Sequence, residues 1–352
     1  MSGSAPTKFS RSGLADVAAL AGVGIATVDR VMNERGNVSE KTTLRVLEAA
    51  RQLNLRRTLP SVRHRNIQVE VILRGPVDEF FQRLNRAFGK IGSELDRSII
   101  LHRSTIDERR PLNLARHIAE SAADAFIVFS GTAHPALLAA IDDKTTRGIP
   151  VLTINSDLPE SSRTAHIGPD HYRMGRTAAF FMARMAPAGG SVLVIVHSEN
   201  YRGHKDRVQG FIEGLSERSE NLSVVEILSG QDQTSLTQQL VYKALAKHQD
   251  VVGIYSAGGG RAGTGAALLS LGLAGKTVFI AHELTDESSE MLKKGIITLI
   301  LDQNPEAQAR QALGYLLRHF EYTSDFTLSP IPFSVISMET IENYQYGLPV
   351  PT

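Results

Sequence analysis

After the apolar run VVGIY the chain reads SAGGGRAG, Ser256 to Gly263, with glycines at 258, 260 and 263 in G-x-G-x-x-G spacing and an acid, Glu283, about twenty residues on. In a dinucleotide fold such glycines let the backbone approach a pyrophosphate, and the acid holds a ribose hydroxyl. The alternative is a glycine-rich strand-to-helix turn that lines a cleft and offers its amides to a ligand. A dinucleotide fold needs two βαβ halves, and the chain after Gly263 is too short for the second. No cofactor is therefore expected, and Gly258 is kept as a cleft residue. A second pair, Asp302-Gln303, interrupts the apolar run ITLIL. Burying these two without partners would cost several kcal/mol, so a hydrogen-bonded place at a cleft or hinge is expected.

Other chemistry is thin. The sequence has no G-x-x-x-x-G-K-[ST], no H-E-x-x-H and no G-x-S-x-G, and its eleven histidines show no ligand spacing. It has no cysteine, which removes disulfides, thiolate metal sites and a cysteine nucleophile together. No metal site, no catalytic residue and no enzymatic activity are expected.

The charge is uneven. Residues 1–66 hold eleven Lys or Arg against five Asp or Glu, a net +6, whereas the remainder holds 27 against 32, a net −5. A small basic head on a mildly acidic body is the layout of a nucleic-acid-binding module joined to something with another task. The head reads LADVAALAGVGIATVDRVMN from Leu14, two short helical periods broken at Gly22. Glycine there takes the left-handed turn that a helix-turn-helix requires, with small Ala18 at the crossing and Val17, Val28 and Val31 as core. The second helix, about Ile25 to Asn33, would enter the major groove and present Ile25, Ala26, Thr27, Asp29, Arg30 and Asn33 to double-stranded DNA. Ser39 is a candidate N-cap for a third helix, whose stripe of Leu44, Val46, Leu47, Ala50 and Leu53 closes a three-helix core.

The body alternates apolar strands with amphipathic helices: IQVEVIL, SIILH, AFIVF, PVLTI, SVLVIV, VVEIL, VVGIY, TVFIA and ITLIL. Continuous apolar strands separated by helices predict parallel sheets covered on both faces. Four strands precede a loop around Asp157 to Asp170 and five follow it. The expected fold class is therefore α/β, a two-lobed body of two doubly wound sheets with ligand space between their carboxyl-end loops, behind a small all-α helix-turn-helix domain. The expected domains are 1–55 for the head, 56–66 for a basic linker and 67–352 for the ligand-binding and dimerisation body. The opening MSGSAPTKFSRSG has no apolar central segment, and no run of eighteen apolar residues occurs, so a cytoplasmic protein with no membrane partner is expected.

The segments DVAALAGVGIATVDRVMN and VSEKTTLRVLEAARQLNL resemble the opening of the lactose-repressor (LacI) family of bacterial transcription regulators, over Leu14 to Leu55. Two positions depart from that pattern: Gly24 and Asp29 both stand where serine is usual. An aspartate facing phosphates costs affinity unless it accepts from a base amine such as cytosine N4. The family's hinge helix is replaced by RRTLPSVRHRN, in which Arg56 and Arg57 are candidate phosphate or minor-groove contacts; a solvated linker is the alternative.

The body resembles the same family and, through it, the periplasmic sugar-binding proteins, over Ile67 to Met338. The resemblance implies that Phe80 and Phe81 pack on a sugar ring with Asp78 just before them, and that Asn155 closes the fourth strand with Asp157 supplying a carboxylate. It further implies that Arg207 crosses the cleft to ligand hydroxyls, that His282 stands where an aspartate is frequent, and that Gln303 lies on a crossover strand. Helical aromatics are often core, and Arg207 has Asp206 beside it as an alternative partner. Taken together, these residues suit a small sugar or polyol, with aromatic faces on C–H surface and polar groups on hydroxyls. The expected function is a repressor-type regulator acting as a homodimer, or a tetramer, on a near-palindromic operator. A sugar receptor without a DNA role and a nucleotide-dependent enzyme are the alternatives.

Overall fold

The computed structural model describes residues 13–344 apart from 34, 36, 54, 56–65, 76–78, 108–109 and 199. The chain divides into two units, Met1–Ile67 and Gln68–Thr352. In the first, helices α1 (Leu14–Ala21), α2 (Ile25–Met32) and α3 (Glu40–Gln52) enclose Val17, Ala18, Ala21, Val28, Val31, Met32, Val46, Leu47, Ala49 and Ala50. Gly22 is left-handed (φ +64), and the Val23 N–H donates to Ala18 O at 3.0 Å, which closes α1 and reverses the chain. Arg45 holds the turn by donating to the carbonyls of Ala21 and Gly22. Ser39 Oγ accepts from the Thr42 N–H and caps α3.

The second unit runs β1 (Ile67–Arg74), α4 (Glu79–Glu94), β2 (Ile99–Ile106), α5 (Pro111–Glu120), β3 (Ala125–Val128), α6 (Pro135–Thr146), β4 (Val151–Ile154) and β5 (Ala165–Ile167). It continues through α7 (His171–Met185), β6 (Gly190–Val196), α8 (Arg202–Ser216), β7 (Leu222–Ser229), α9 (Thr234–Lys247), β8 (Val251–Ser256), α10 (Arg261–Ser270), β9 (Val278–His282) and α11 (Asp286–Lys293). Last come β10 (Leu299–Asp302), α12 (Pro305–His319), β11 (Ser334–Ile336) and a 3₁₀ turn, Ile341–Asn343. The sheets have orders β2-β1-β3-β4-β5 and β11-β10-β9-β8-β6-β7, so each repeats the doubly wound order around a switch point, β1/β3 and β6/β8. All nine expected strands form. The two unanticipated ones, β5 and β11, are three residues each, too short to leave a periodicity.

The run SVLVIV shows why continuous apolar strands mark a doubly covered sheet. Leu193 and Ile195 enter one core with α9, α10 and α11, while Val192, Val194 and Val196 enter the opposite core with α7 and α8. The lobes are joined where the chain leaves β5 for α7, where β10 leads into α12, and where α12 returns to β11. Helix α12 packs on α4, β4 and β5 although β10 belongs to the other sheet. Two of these crossing segments pair with each other at Pro169 and Ile331. Among the described residues no helix is long and apolar enough to cross a membrane.

Two packing features set the geometry. Helices α7 and α8 cross backbone to backbone: a Cβ on Gly175 would overlap the Arg207 carbonyl, and one on Gly210 the Tyr172 carbonyl. Arg83 on α4 donates to Asp302 Oδ1 (2.6 Å), Glu306 Oε2 (2.8 Å) and Leu284 O (3.0 Å), tying the first lobe to the β10 crossover. Burial alone would weaken the Arg83 charge, but the Asp302 and Glu306 carboxylates outweigh it and hold the guanidinium charged.

Gly175→Ala is expected to destabilise the protein by on the order of 1–3 kcal/mol through overpacking, read as a lower urea midpoint at unchanged slope. Arg83→Met leaves Asp302 buried beside no cation and is expected to cost about 3–5 kcal/mol; stability equal to wild type would show the pair to be dispensable.

Candidate functional site

A cavity of about 280 Å³ opens where the carboxyl ends of both sheets meet. The first lobe contributes Arg74 at the end of β1, Glu79, Phe80 and Phe81 at the start of α4, and Asn155 and Ser156 after β4. The second contributes His171, then Tyr201, Gly203, His204 and Arg207 around the first turns of α8, Asp232 before α9, the Gly258–Gly260 turn, Arg261 and His282-Glu283. Gln303 enters from the β10 crossover. Strand exits deliver these residues because the loops there are free of core packing while the strands beneath are fixed.

Arg207 is the centre. It is 3% exposed, yet its Nε donates to His171 Nδ1 (3.1 Å), Nη1 to Ala257 O (2.6 Å) and Nη2 to Gln303 Oε1. Asn155 Nδ2 donates to the same Gln303 oxygen at 2.8 Å, and Gln303 Nε2 donates to Glu283 Oε1. His171 Nε2 lies 2.9 Å from Asn155 O, so it donates there while Nδ1 accepts from Arg207, which requires a neutral ring. Burial first, then the Arg207 charge, holds His171 well below the ordinary imidazole range. The same two causes act on His204 and on His282, whose Nε2 lies 2.8 Å from the Tyr255 hydroxyl.

Asn155 (φ +64) and Glu283 (φ +71) are left-handed. Asparagine tolerates that conformation, whereas glutamate at a buried strand exit is strained by on the order of 1–3 kcal/mol, which the surrounding bonds must hold in place. Across the mouth Arg74 meets Asp232 at 2.8 Å, Arg261 meets Glu79 at 3.4 Å and Arg202 meets Glu160 at 2.7 Å, each pairing a residue of one lobe with a residue of the other. Burial would raise the Asp232 carboxyl, but His197 at 2.9 Å and then Arg74 bring it down to about 2.

The expected ligand residues Phe80, Phe81, Asn155, Arg207, Gly258, His282 and Gln303 all line this cavity. The phenylalanines are buried, with rings 5.0 Å apart edge to face, and Phe81 also packs on Phe129 at 4.3 Å. Asp157 lies elsewhere. It accepts from Arg163 Nη2 (2.6 Å), the Leu158 N–H (2.7 Å) and the Thr153 hydroxyl (3.1 Å), and Glu79, Asp232, Glu283 and Glu287 are the acids that line the cavity instead. Asp78, Arg56 and Arg57 fall outside the described residues. Sequence reasoning missed Arg74, His171, Tyr201, His204, Asp232 and Arg261; the signal available was a polar residue directly after a strand or opening a helix.

The glycine pattern has a packing explanation. A Cβ on Gly258 would overlap His204, one on left-handed Gly259 would overlap Asp232, and one on Gly263 would overlap the Thr234 carbonyl where α9 and α10 touch. The glycines admit neighbouring groups of the same chain, which replaces the pyrophosphate reading. Among the described residues no group of three or more His, Asp or Glu side chains could hold a metal ion.

In the head, Ile25 (55%), Ala26 and Arg30 are exposed at the start and outer face of α2, while Thr27 and Asn33 are half-buried. Asp29 accepts from Asn33 Nδ2 (2.6 Å) and Arg35 Nη1 (2.9 Å) within the head.

Residues 13–57 match the bacterial regulatory proteins of the lacI family, and residues 69–322 match the periplasmic binding protein domain. Among curated proteins the chain is similar to the HTH-type transcriptional regulator RegA of Clostridium saccharobutylicum, 29% identical over 40% of this chain and 44% of that one. It is also similar to the regulator DegA of Bacillus subtilis, 22% identical over 57% of this chain and 60% of that one. The similarity thus spans about half the length of these relatives. Among solved structures, GanP, a glucose-galactose binding protein of Geobacillus stearothermophilus, superposes at a TM-score of 0.70 with 20% identity, over 78% of this chain and 99% of that one. A periplasmic solute binding protein of Actinobacillus succinogenes with bound D-allose does so at 0.70 with 19% identity, over 79% and 100%. With more than half its length matched, the chain belongs to the periplasmic binding protein domain family and carries that domain behind a lacI-family regulatory segment.

Proposed function

We propose that this protein is a sequence-specific DNA-binding transcription regulator, of repressor type, whose operator affinity is set by a small sugar or polyol held between the two lobes. The observation that carries the reading is the Arg207–Gln303–Asn155 set, which draws polar groups from both lobes and from a crossover strand onto one small cavity walled by two phenylalanines. RegA and DegA are named as transcriptional regulators, and structural neighbours bind glucose, galactose and allose. The head supplies Ile25, Ala26, Thr27, Arg30 and Asn33 to the major groove, with Asp29 orienting Asn33 and Arg35. Arg56 and Arg57 of the 56–66 linker add phosphate contacts.

A body surface would pair two copies as a homodimer, or pair two such dimers in a tetramer, so that two heads meet half-sites about one helical turn apart in the cytoplasm. Effector binding stabilises the closed lobes, and operator affinity changes because the two lobe arrangements bind effector differently. No bond-breaking step is required of any residue.

Arg30→Ala is expected to weaken binding to operator DNA, obtained by in vitro selection, by about 10-fold or more, one lost base or phosphate contact being worth about 1–3 kcal/mol. Effector binding should persist, and equal operator affinity in fluorescence anisotropy would defeat the recognition-helix assignment.

The inter-lobe pair gives a second test. Because the Asp232 carboxyl is lowered from 3.8 to about 2 in the folded protein, its contribution is present above pH 4 and lost as pH falls towards 2. Asp232→Asn should cost on the order of 2 kcal/mol at neutral pH and flatten the acid limb of a melting-temperature-against-pH curve between 4 and 2. An acid limb identical to wild type would show that neither His197 nor Arg74 stabilises the Asp232 carboxylate in the folded protein.

A further inference from the structure

Helix α8 starts without a cap of its own. Helices α7, α11 and α12 begin at Asp170, Thr285 and Asn304, whose side chains each accept the amide three residues on. Helix α8 begins at Tyr201, whose side chain accepts from none of its first amides. Those amides have no acceptor within the helix and still need one. The acceptors come from the other lobe. The Arg202 N–H donates to Gly131 O, just beyond β3, at 2.9 Å, and the Gly203 N–H donates to Ser156 Oγ, just beyond β4, at 3.2 Å. Gly203 and Ser156 are both buried, so water does not stand in for the second bond. The Tyr201 ring seats at the same place. It is buried against Gly131 so closely that a Cβ there would overlap it, and it packs on Phe129 of the first lobe at 6.0 Å and stacks on His204 at 4.9 Å. Gly131 is outside the left-handed region, so its missing side chain answers to the ring and not to the backbone. Arg202 and Glu160 add an exposed pair at 2.7 Å, worth little by itself.

We infer that the first turn of α8 is a latch in which one lobe caps a helix of the other: Tyr201 seats on Gly131, the Gly131 carbonyl and the Ser156 hydroxyl take the Arg202 and Gly203 amides, and parting the lobes uncaps the helix. The inference goes beyond the effector reading, which concerns what lies between the lobes, and it holds or fails without any ligand. A buried amide that loses its acceptor costs about as much as a lost hydrogen bond, so capped and uncapped are two discrete arrangements rather than points on a continuous swing. The ring sharpens the distinction, because only a residue without a Cβ at 131 lets it seat while the Arg202 amide reaches the same residue's carbonyl. Arg207, whose acceptors organise the cavity, stands little more than one turn further along α8. The cavity is therefore built on a helix whose start is completed by the opposite lobe.

The test is amide hydrogen exchange on the full-length, ligand-free protein, with an inter-lobe distance measured beside it. In wild type the Arg202 and Gly203 amides are expected to exchange at least about 10-fold more slowly than in Gly131→Ala, where the added Cβ unseats Tyr201. Ser156→Ala, which deletes a single atom and leaves the ring seated, should speed Gly203 by about 10-fold and leave Arg202 within about threefold. In Gly131→Ala/Tyr201→Ala the Cβ has room again, and slow exchange of Arg202 should return. The chain has no cysteine, so spin labels on Asp143→Cys of α6 and Lys243→Cys of α9, both exposed, are its only labelled sites. Their distance distribution should be longer or broader in the Gly131→Ala background and return to that of wild type in the double variant. Fast exchange of both amides in wild type, or equal exchange in wild type and Gly131→Ala, overturns the inference. So does a label distance that stays the same while the amides of Gly131→Ala speed up, because the caps would then be local and hold no lobe.

Discussion

Burying one guanidinium sets the arrangement of the whole body. Arg207 has donors fixed in a plane, and at 3% exposure water satisfies almost none of them, so acceptors must be brought to it in defined directions. They arrive from three places: the first turn of α7 (His171), the exit of β8 (Ala257 O) and the β10 crossover (Gln303). Each acceptor is then constrained in turn. His171 must be neutral and must donate from Nε2, which fixes the carbonyl of Asn155 at the exit of β4 in the other lobe. Gln303 must turn its oxygen to Arg207, which leaves its nitrogen for Glu283. One buried cation thereby holds the strand exits of two sheets in register.

The neighbouring residues Asp302 and Gln303 divide the electrostatics of the hinge. Successive residues leaving a strand face opposite sides, and here one side holds Arg83 and the other Arg207. The full carboxylate goes to Arg83, which also binds Glu306 and so staples α4 to the start of α12. The uncharged amide goes to Arg207, inside the cavity. A carboxylate at 303 would neutralise Arg207 directly. An amide satisfies its geometry while leaving its charge in force, and that charge adds to burial, the larger cause, in holding the three cavity histidines well below the ordinary imidazole range.

The fold was largely legible from the chain. Unbroken apolar runs such as SVLVIV and AFIVF can be satisfied only by a sheet covered on both faces, and the interruption of an apolar run by Asp302-Gln303 demanded a buried hydrogen-bonding role. What escaped had no local signature. Strands β5 and β11 are too short for periodicity, and their existence depends on neighbours supplied by β4 and β10. Arg74 and Asp232 are unremarkable in sequence and acquire meaning only because the exits of β1 and β7, in different sheets, converge. Asp157 misled because its position next to Asn155-Ser156 suggested the cavity, whereas Arg163, six residues on, pulls it into a local ion pair. Asp29 has local partners that the sequence did not announce, Asn33 one helical turn on and Arg35 just beyond the helix.

The glycine motif carries the wider lesson. Gly258, Gly260 and Gly263 reproduce a dinucleotide fingerprint because the physical demand is the same: a strand-to-helix turn at a sheet's carboxyl end must pass close to something without a Cβ in the way. In a dinucleotide fold that something is a pyrophosphate. Here it is His204 beside Gly258, Thr237 beside Gly260 and the backbone of α9 beside Gly263. The pattern therefore reports a close approach and not its partner. The partner is decided by what lies next to the turn, and here that is side chains and backbone of the same chain, with Phe80, Phe81, Asn155 and Arg74 lining the cavity from the facing lobe.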